Sequence, residues 1–373
     1  MADELYTLAE KKAAEAENLG AFQGIKLIYI RNQVENMLAL IGQGGFFDQY
    51  TRHDISHIDG MLKIVEWIIP DNTKEHMSKA DWLMLVLAIY FHDLGMLVTT
   101  KEFENRDKDS TFVEYRRQAL DGSFGAEYRD NILDLGTDGE RFVYQEYVRY
   151  QHAARIKRWV SGIYYDNPPE ECKSIIDTIN EILGHLDAKF RRDLGLVCES
   201  HHLDDLDDFA KYNPCTRYGN SDDERVNLQY VAIILRTADI LHITRERTPS
   251  VQFRIINPSN AKSIIEWQKQ MAVKAVTAKM PRNAEGAIDS SLPKDTIEIT
   301  AYFNQPDQAE AFFGLSAYIM YMREEIIKNF DWVQVAAKKE GAVNYEYPWH
   351  NVDDDDVETL GFEPRKLQLW LSL

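Results

Sequence analysis

The chain has 373 residues, 45% of them hydrophobic and 28% charged, enough for one large globular domain or two ordinary ones. Its formal net charge of −19 disfavours loose binding to phosphate backbones, and no apolar run is long and clean enough to cross a bilayer. The opening MADELYTLAEKKAAEAENLG is charged and amphipathic rather than secretory, and three cysteines without CxxC spacing (Cys172, Cys198, Cys215) predict reduced thiols and a cytoplasmic setting.

Apolar residues at helical spacing predict helices over 4–18 and 21–43, the second carried by Leu27, Ile28, Ile30, Val34, Met37, Leu38 and Ile41. GQGGFFDQYTRH interrupts the pattern with three glycines. Helices are expected over 54–69, stopping at Pro70, and over 78–97, with Ser78 as N-cap. Residues 103–140 mix helix and turn signals, and DGSFGAEYRDN and LGTDGE are candidates to line a cleft. Further helices are predicted over 140–163, 168–184, 187–201 and 227–245. Beyond Pro249 the texture changes: VQFRIINP, MAVKAVTAKM and TIEITAYF read as strands, PRNAEGAIDSSLPKD as a loop, 306–330 as a helix and PRKLQLWLSL as a strand. The expected fold is therefore mainly α: a helical bundle over 1–248, with a smaller α+β part over 249–373 that caps a cleft or forms a subunit interface.

The stretch VLAIYFHDLGML, residues 86–97, places His92 and Asp93 in an almost wholly apolar segment. Burying such groups is costly unless they find partners. Asp239 stands in a similar setting in LRTADILHI, and His53, His57, His152, His201 and His202 fall in or beside helices of the bundle. Carboxylates and neutral imidazoles are ordinary ligands of a divalent metal, which supplies the missing charge partner. In a continuing helix His92 and Asp93 point about 100° apart and would straddle such an ion.

The order His … His-Asp … Asp resembles the HD-domain metal-dependent phosphohydrolase superfamily. TRHDISHIDGML corresponds to His57, YFHDLGML to His92 and Asp93, and LRTADIL to Asp239. The resemblance covers about 45–247 and implies an HD-type helical bundle with the metal at its centre. His53 is an alternative first ligand, four residues before His57; with His57 in that place, Arg52 and His53 become substrate contacts or supports around the site. HD families with two metals carry added histidines between the HD pair and the last aspartate, as HD-GYP phosphodiesterases and CRISPR-associated HD nucleases do. His152, His201 and His202 answer to these. The GYP motif is absent, and methionine replaces the lysine that often follows the HD pair. ILRTADILHITRERTP also resembles the HD module that precedes GHKL-type ATPase domains, with His242 where an aspartate is common; this implies an ATPase partner domain or a stand-alone version.

The resemblance implies one or two divalent ions (Mn, Fe, Mg, Ni or Zn) that turn water into a nucleophile at neutral pH. Arg155, Arg236, Arg245 and Arg247 are candidates to contact phosphate, and His152 or His202 to act as general acid. The leading expectation is a phosphohydrolase acting on a nucleotide or other small phosphoester, alone, as a homo-oligomer or with a partner. A nuclease for single-stranded nucleic acid would draw its groove from the tyrosines and arginines of 141–165. A regulatory module that binds nucleotide or metal without turnover is the third reading.

Overall fold

The computed structural model describes residues 7–42, 46–48, 53–248, 253–254, 256, 261–339, 341–360 and 362–364. Its centre is α5 (Lys79–Phe91), in which every residue from Ala80 to Phe91 is buried. Because all of its faces are apolar, it must be surrounded. It is enclosed by α1 (Leu8–Ala14), α3 (Ile55–Ile68), α11 (Ala188–Ser200) and α12 (Leu228–Leu241). Ser78 starts α5 with a capping box closed by Asp81. Asp81 is itself buried, and accepts from Tyr345 Oη at 2.5 Å and Asn227 N–H at 2.8 Å. One helix start thereby ties down two distant segments.

The other helices build outward. α2 (Leu27–Leu38) follows α1, and α4 (Asp71–His76) links α3 to α5. The turn-rich stretch resolves into α6 (Thr100–Glu104), α7 (Ser110–Asp121) and α8 (Ala126–Asp134). They lie against α9 (Gly139–Val160) around a second apolar cluster that includes Phe112, Tyr144 and Tyr147. α10 (Lys173–Leu183) precedes α11, and a short antiparallel pair, β1 (Thr216–Arg217) and β2 (Arg225–Val226), precedes α12.

Residues 261–270, to which no element was assigned from sequence, form α13 (Ala261–Ala272) together with Met271 and Ala272, the first two residues of the predicted strand MAVKAVTAKM. It runs directly into β3 (Val273–Ala278), which pairs antiparallel with β4 (Thr296–Phe303) from Val273↔Ala301 to Ala278↔Ile297. β5 (Asn351–Asp353) and β6 (Val357–Thr359) run parallel to β4. β4 alternates as a half-buried strand should, turning Ile297, Ile299, Ala301 and Phe303 inward. α14 (Ala309–Ala336) buries Leu315, Ile319, Met322 and Ile326. Most of the predicted strand VQFRIINP and nearly all of PRKLQLWLSL lie outside the described residues.

The change of texture near 249 does not divide the core. One apolar cluster runs from Ala9 through α5 and α12 to Phe303, Leu315 and Val352. Trp349 donates from Nε1 to the Ile68 carbonyl at 2.7 Å, and Tyr318 Oη to the Ile240 carbonyl at 2.9 Å. No helix among the described residues is long and apolar enough to cross a membrane.

Candidate metal centre

Five helices deliver their polar residues to one place. His57 lies in the first turn of α3, which is capped by Asp54. His92 and Asp93 end α5, His152 lies within α9, His201 and His202 end α11, and Asp239 sits near the end of α12. His92 and Asp93 keep right-handed helical backbone just past the last residue of α5. Their ligand atoms converge, with Asp93 Oδ2 3.3 Å from His92 Nε2.

The side chains form two adjoining clusters. In the first, His57 Nε2 lies 3.3 Å from His92 Nε2 and 3.4 Å from both Asp93 Oδ2 and Asp239 Oδ1. In the second, His152 Nε2 lies 2.9 Å from His201 Nε2 and 3.6 Å from Asp93 Oδ1, with the His202 ring 4.4 Å from that of His152. The sets His57–His92–Asp239 and His152–His201–His202 each gather their ligand atoms closely enough for a metal ion. Asp93 faces both, one oxygen to each.

The proton positions explain why such crowding suits a cation. His92, His152 and His201 each turn Nδ1 to a backbone carbonyl three residues earlier, those of Ile89 at 2.9 Å, Arg149 at 2.6 Å and Cys198. A carbonyl only accepts, so Nδ1 carries the proton, and in the neutral ring Nε2 presents a lone pair. The Nε2 atoms of His152 and His201 then face each other lone pair to lone pair, an arrangement that a shared positive charge resolves.

The local field is divided in the same way. Burial, with Arg247 nearby, lowers the His57 pKa to about 4, and burial with His152 lowers that of His202 to about 4. Burial also lowers His152 and His201. For His92 burial acts downward too, but the Asp93 and Asp239 carboxylates outweigh it and lift its pKa to about 9. Asp93 and Asp239, though buried, are pulled down by His92 and His57. Neutral His152 and His202 fit a ligand's role better than that of the general acid expected from sequence.

The clusters open on a cleft of about 600 Å³, the size of many small-ligand sites. His53 lies on its wall, beside the His57 ring. Arg247 is also there, buried, with Nη1 on the His242 carbonyl at 3.3 Å. The other arginines differ from expectation. Arg155 is fastened beneath the site: Nε donates to the Gly95 carbonyl and Nη2 to the Leu97 carbonyl, both at 2.8 Å, and Nη1 meets Glu102. Arg236 is buried in an ion pair with Glu325 and donates to the Leu203 carbonyl. Arg245 is exposed and does not line the cleft. Arg52 lies outside the described residues.

Sequence reasoning missed several cleft residues. Glu146 lies upstream of His152 on α9, together with Arg149 and Tyr150, which the sequence offered only as part of a nucleic-acid groove over 141–165. The helical stripe signalled them as clearly as it did Arg155, but helical side chains lean toward the N-terminus, so upstream neighbours share the opening. Ser263, Glu266 and Gln270 of α13 and Tyr318 of α14 complete the wall, and no local pattern marked these.

A family model described as HD-CE matches residues 47–328, which takes in every cluster residue, all of α13 and α14 as far as Lys328. No curated protein and no solved structure matches the chain.

Proposed function

The chain belongs to the HD-CE family of HD-domain proteins, and from that premise we propose that it is a metal-dependent phosphohydrolase with a two-ion centre. The observation that carries this reading is Asp93, which offers one oxygen to each of two histidine clusters. His57, His92 and Asp239 would hold one ion, and His152, His201 and His202 the other. When bound, divalent cations supply Lewis acidity that makes water nucleophilic at neutral pH and draws charge from a phosphoryl oxygen.

The chain's own groups have separate tasks. The Nδ1 bonds to backbone carbonyls hold the imidazoles in their orientation. Arg149, Arg247 and His53 put cationic or proton-bearing groups on the wall, where they offset charge that develops on a phosphoryl group. Tyr150, 69% exposed, and Tyr115 offer flat faces at the rim for a base or similar ring. The substrate class we favour is a nucleotide or a related small phosphoester. Glu146 and Glu266 on the wall and a net charge of −19 weigh against a long polyanion.

The test is product detection by mass spectrometry after incubation with Mn²⁺. The panel holds NTPs, dNTPs, cyclic nucleotides and a short single-stranded oligonucleotide, with Asp93→Ala as control. A small-molecule product lost in the variant is expected. Cleavage of the oligonucleotide alone would favour the nuclease reading, and a product that persists in Asp93→Ala would remove Asp93 from the chemistry.

A further inference from the structure

The structure assigns His242 as the positioning residue for His57: it accepts the Nδ1 proton of His57 and thereby leaves the Nε2 lone pair of His57 facing the centre. This inference rests on the two-cluster reading above.

His57 needs such a partner because of where it sits. His92, His152 and His201 each lock their tautomer on a carbonyl three residues earlier. At His57 the corresponding carbonyl, that of Asp54, takes the backbone N–H of His57 at 3.0 Å. The His57 ring turns instead to a residue 185 positions away, with 2.6 Å between its Nδ1 and that of His242. The ring planes differ by 21° and the ring centres are 4.9 Å apart. That separation is the N···N distance plus one ring radius at each end. The two nitrogens therefore lie on the line between the centres, as in an in-plane hydrogen bond rather than a face-to-face stack.

The surroundings are built for this ring. His242 follows the last residue of α12, just beyond Asp239, and is 2% exposed. It fits against α3 where Gly60 leaves room: a Cβ on Gly60 would stand 2.0 Å from His242 Nε2. His242 Nε2 is buried and has no hydrogen-bond partner among the described residues. An apolar side chain would fill this slot without burying that orphan group. The polar atom that finds a partner is Nδ1, and its partner is His57.

The proton count agrees. One proton lies between the two Nδ1 atoms. With a cation at His57 Nε2, the remaining proton of His57 is on Nδ1 and is donated to His242 Nδ1. His242 keeps its own proton on Nε2, beside Gly60. Loss of the acceptor frees the His57 ring to rotate or to carry its proton on Nε2, where it excludes a cation. Outer partners of metal-bound histidines typically govern affinity by roughly 10–100-fold.

The experiment compares wild type with His242→Leu, His242→Asn and Gly60→Ala, all as full chains. Asparagine keeps an acceptor close to the place of Nδ1; leucine fills the slot without one; alanine at 60 drives the ring out. In metal-free, ¹⁵N-histidine-labelled protein, NMR is expected to show an imidazole N–H bonded to a second ring nitrogen, absent from His242→Leu. Zn²⁺ titration is expected to show one of two ions weakened roughly 10–100-fold in His242→Leu and Gly60→Ala, and largely restored in His242→Asn. Equal Zn²⁺ affinity in leucine and asparagine variants, or no such resonance in wild type, would overturn the assignment. A wild type that shows the resonance but takes up no Zn²⁺ would sink the metal-centre reading and leave the His57–His242 pair standing. Gly60→Ala keeps the test decisive should His242→Leu not fold.

Discussion

Asp93 and His92 are neighbours in sequence, yet they answer opposite pressures. Asp93 is held ionised by the imidazoles around it, against burial, and His92 is held protonated by Asp93 and Asp239, against the same burial. Replacing Asp93 with asparagine keeps the shape but removes the charge shared by the two clusters. Turnover in Asp93→Asn is expected to fall by more than the roughly 10–100-fold typical of outer partners, with both ions weakened; steady-state rates and metal analysis check this. The raised His92 pKa also has a signed consequence. At pH 7.5 a group with a pKa of about 9 carries a proton in the metal-free protein, and ligation requires the lone pair. Metal uptake should therefore release about one proton per chain from His92, fading as the pH rises through about 9. Calorimetry in two buffers of different ionisation enthalpy measures it. His57 and His202, at about 4, are already neutral and add none.

At the scale of elements, the turn after α5 decides how the second cluster is reached. A Cβ on Gly95 would lie 2.0 Å from the His152 carbonyl oxygen, so glycine at this place lets α9 close on the turn and bring His152 to Asp93. Arg155, one turn further along α9, fixes that contact through the Gly95 and Leu97 carbonyls and Glu102. Its work is structural. Arg155→Met should lower stability by about 3–5 kcal/mol, the cost typical of breaking a buried pair from one side. Urea unfolding would register that loss, and the KM of the enzyme should stay near that of wild type; a large rise in KM with intact stability would return Arg155 to the substrate.

Across the whole molecule, the α+β segment is joined to the bundle by charge as well as by packing. The Arg236 guanidinium on α12 meets Glu325 on α14, both nearly inaccessible to solvent, and Lys328 reaches Glu325 at 3.0 Å and Asp204 at 3.0 Å. Glu325→Ala strands the Arg236 charge and is expected to cost about 3–5 kcal/mol, seen as a lower urea midpoint. Because α12 also carries Asp239, and Tyr318 of α14 holds its last turn, the same variant should weaken metal retention. Unchanged stability and metal content would mean that the two parts are energetically independent.

The amino-acid sequence by itself determined the helical bundle, its helices over much of their length, and the identity and order of the residues that form the clusters. Each of those signals is local: an apolar period, a cap at Ser78, or a polar side chain such as His92 or Asp93 where periodicity demands an apolar one. The strands β3 and β4 were legible for the same reason, through alternation and β-branching. Only the tertiary structure decided what meets what. The pairing of His57 with His242, the fastening of Arg155 beneath the site instead of at its mouth, and the wall supplied by α13 and α14 all join residues far apart along the chain. Such contacts leave no period in the sequence, because they are set by the packing of whole helices, and one helix face looks the same whether it lines a cleft or lies against another helix.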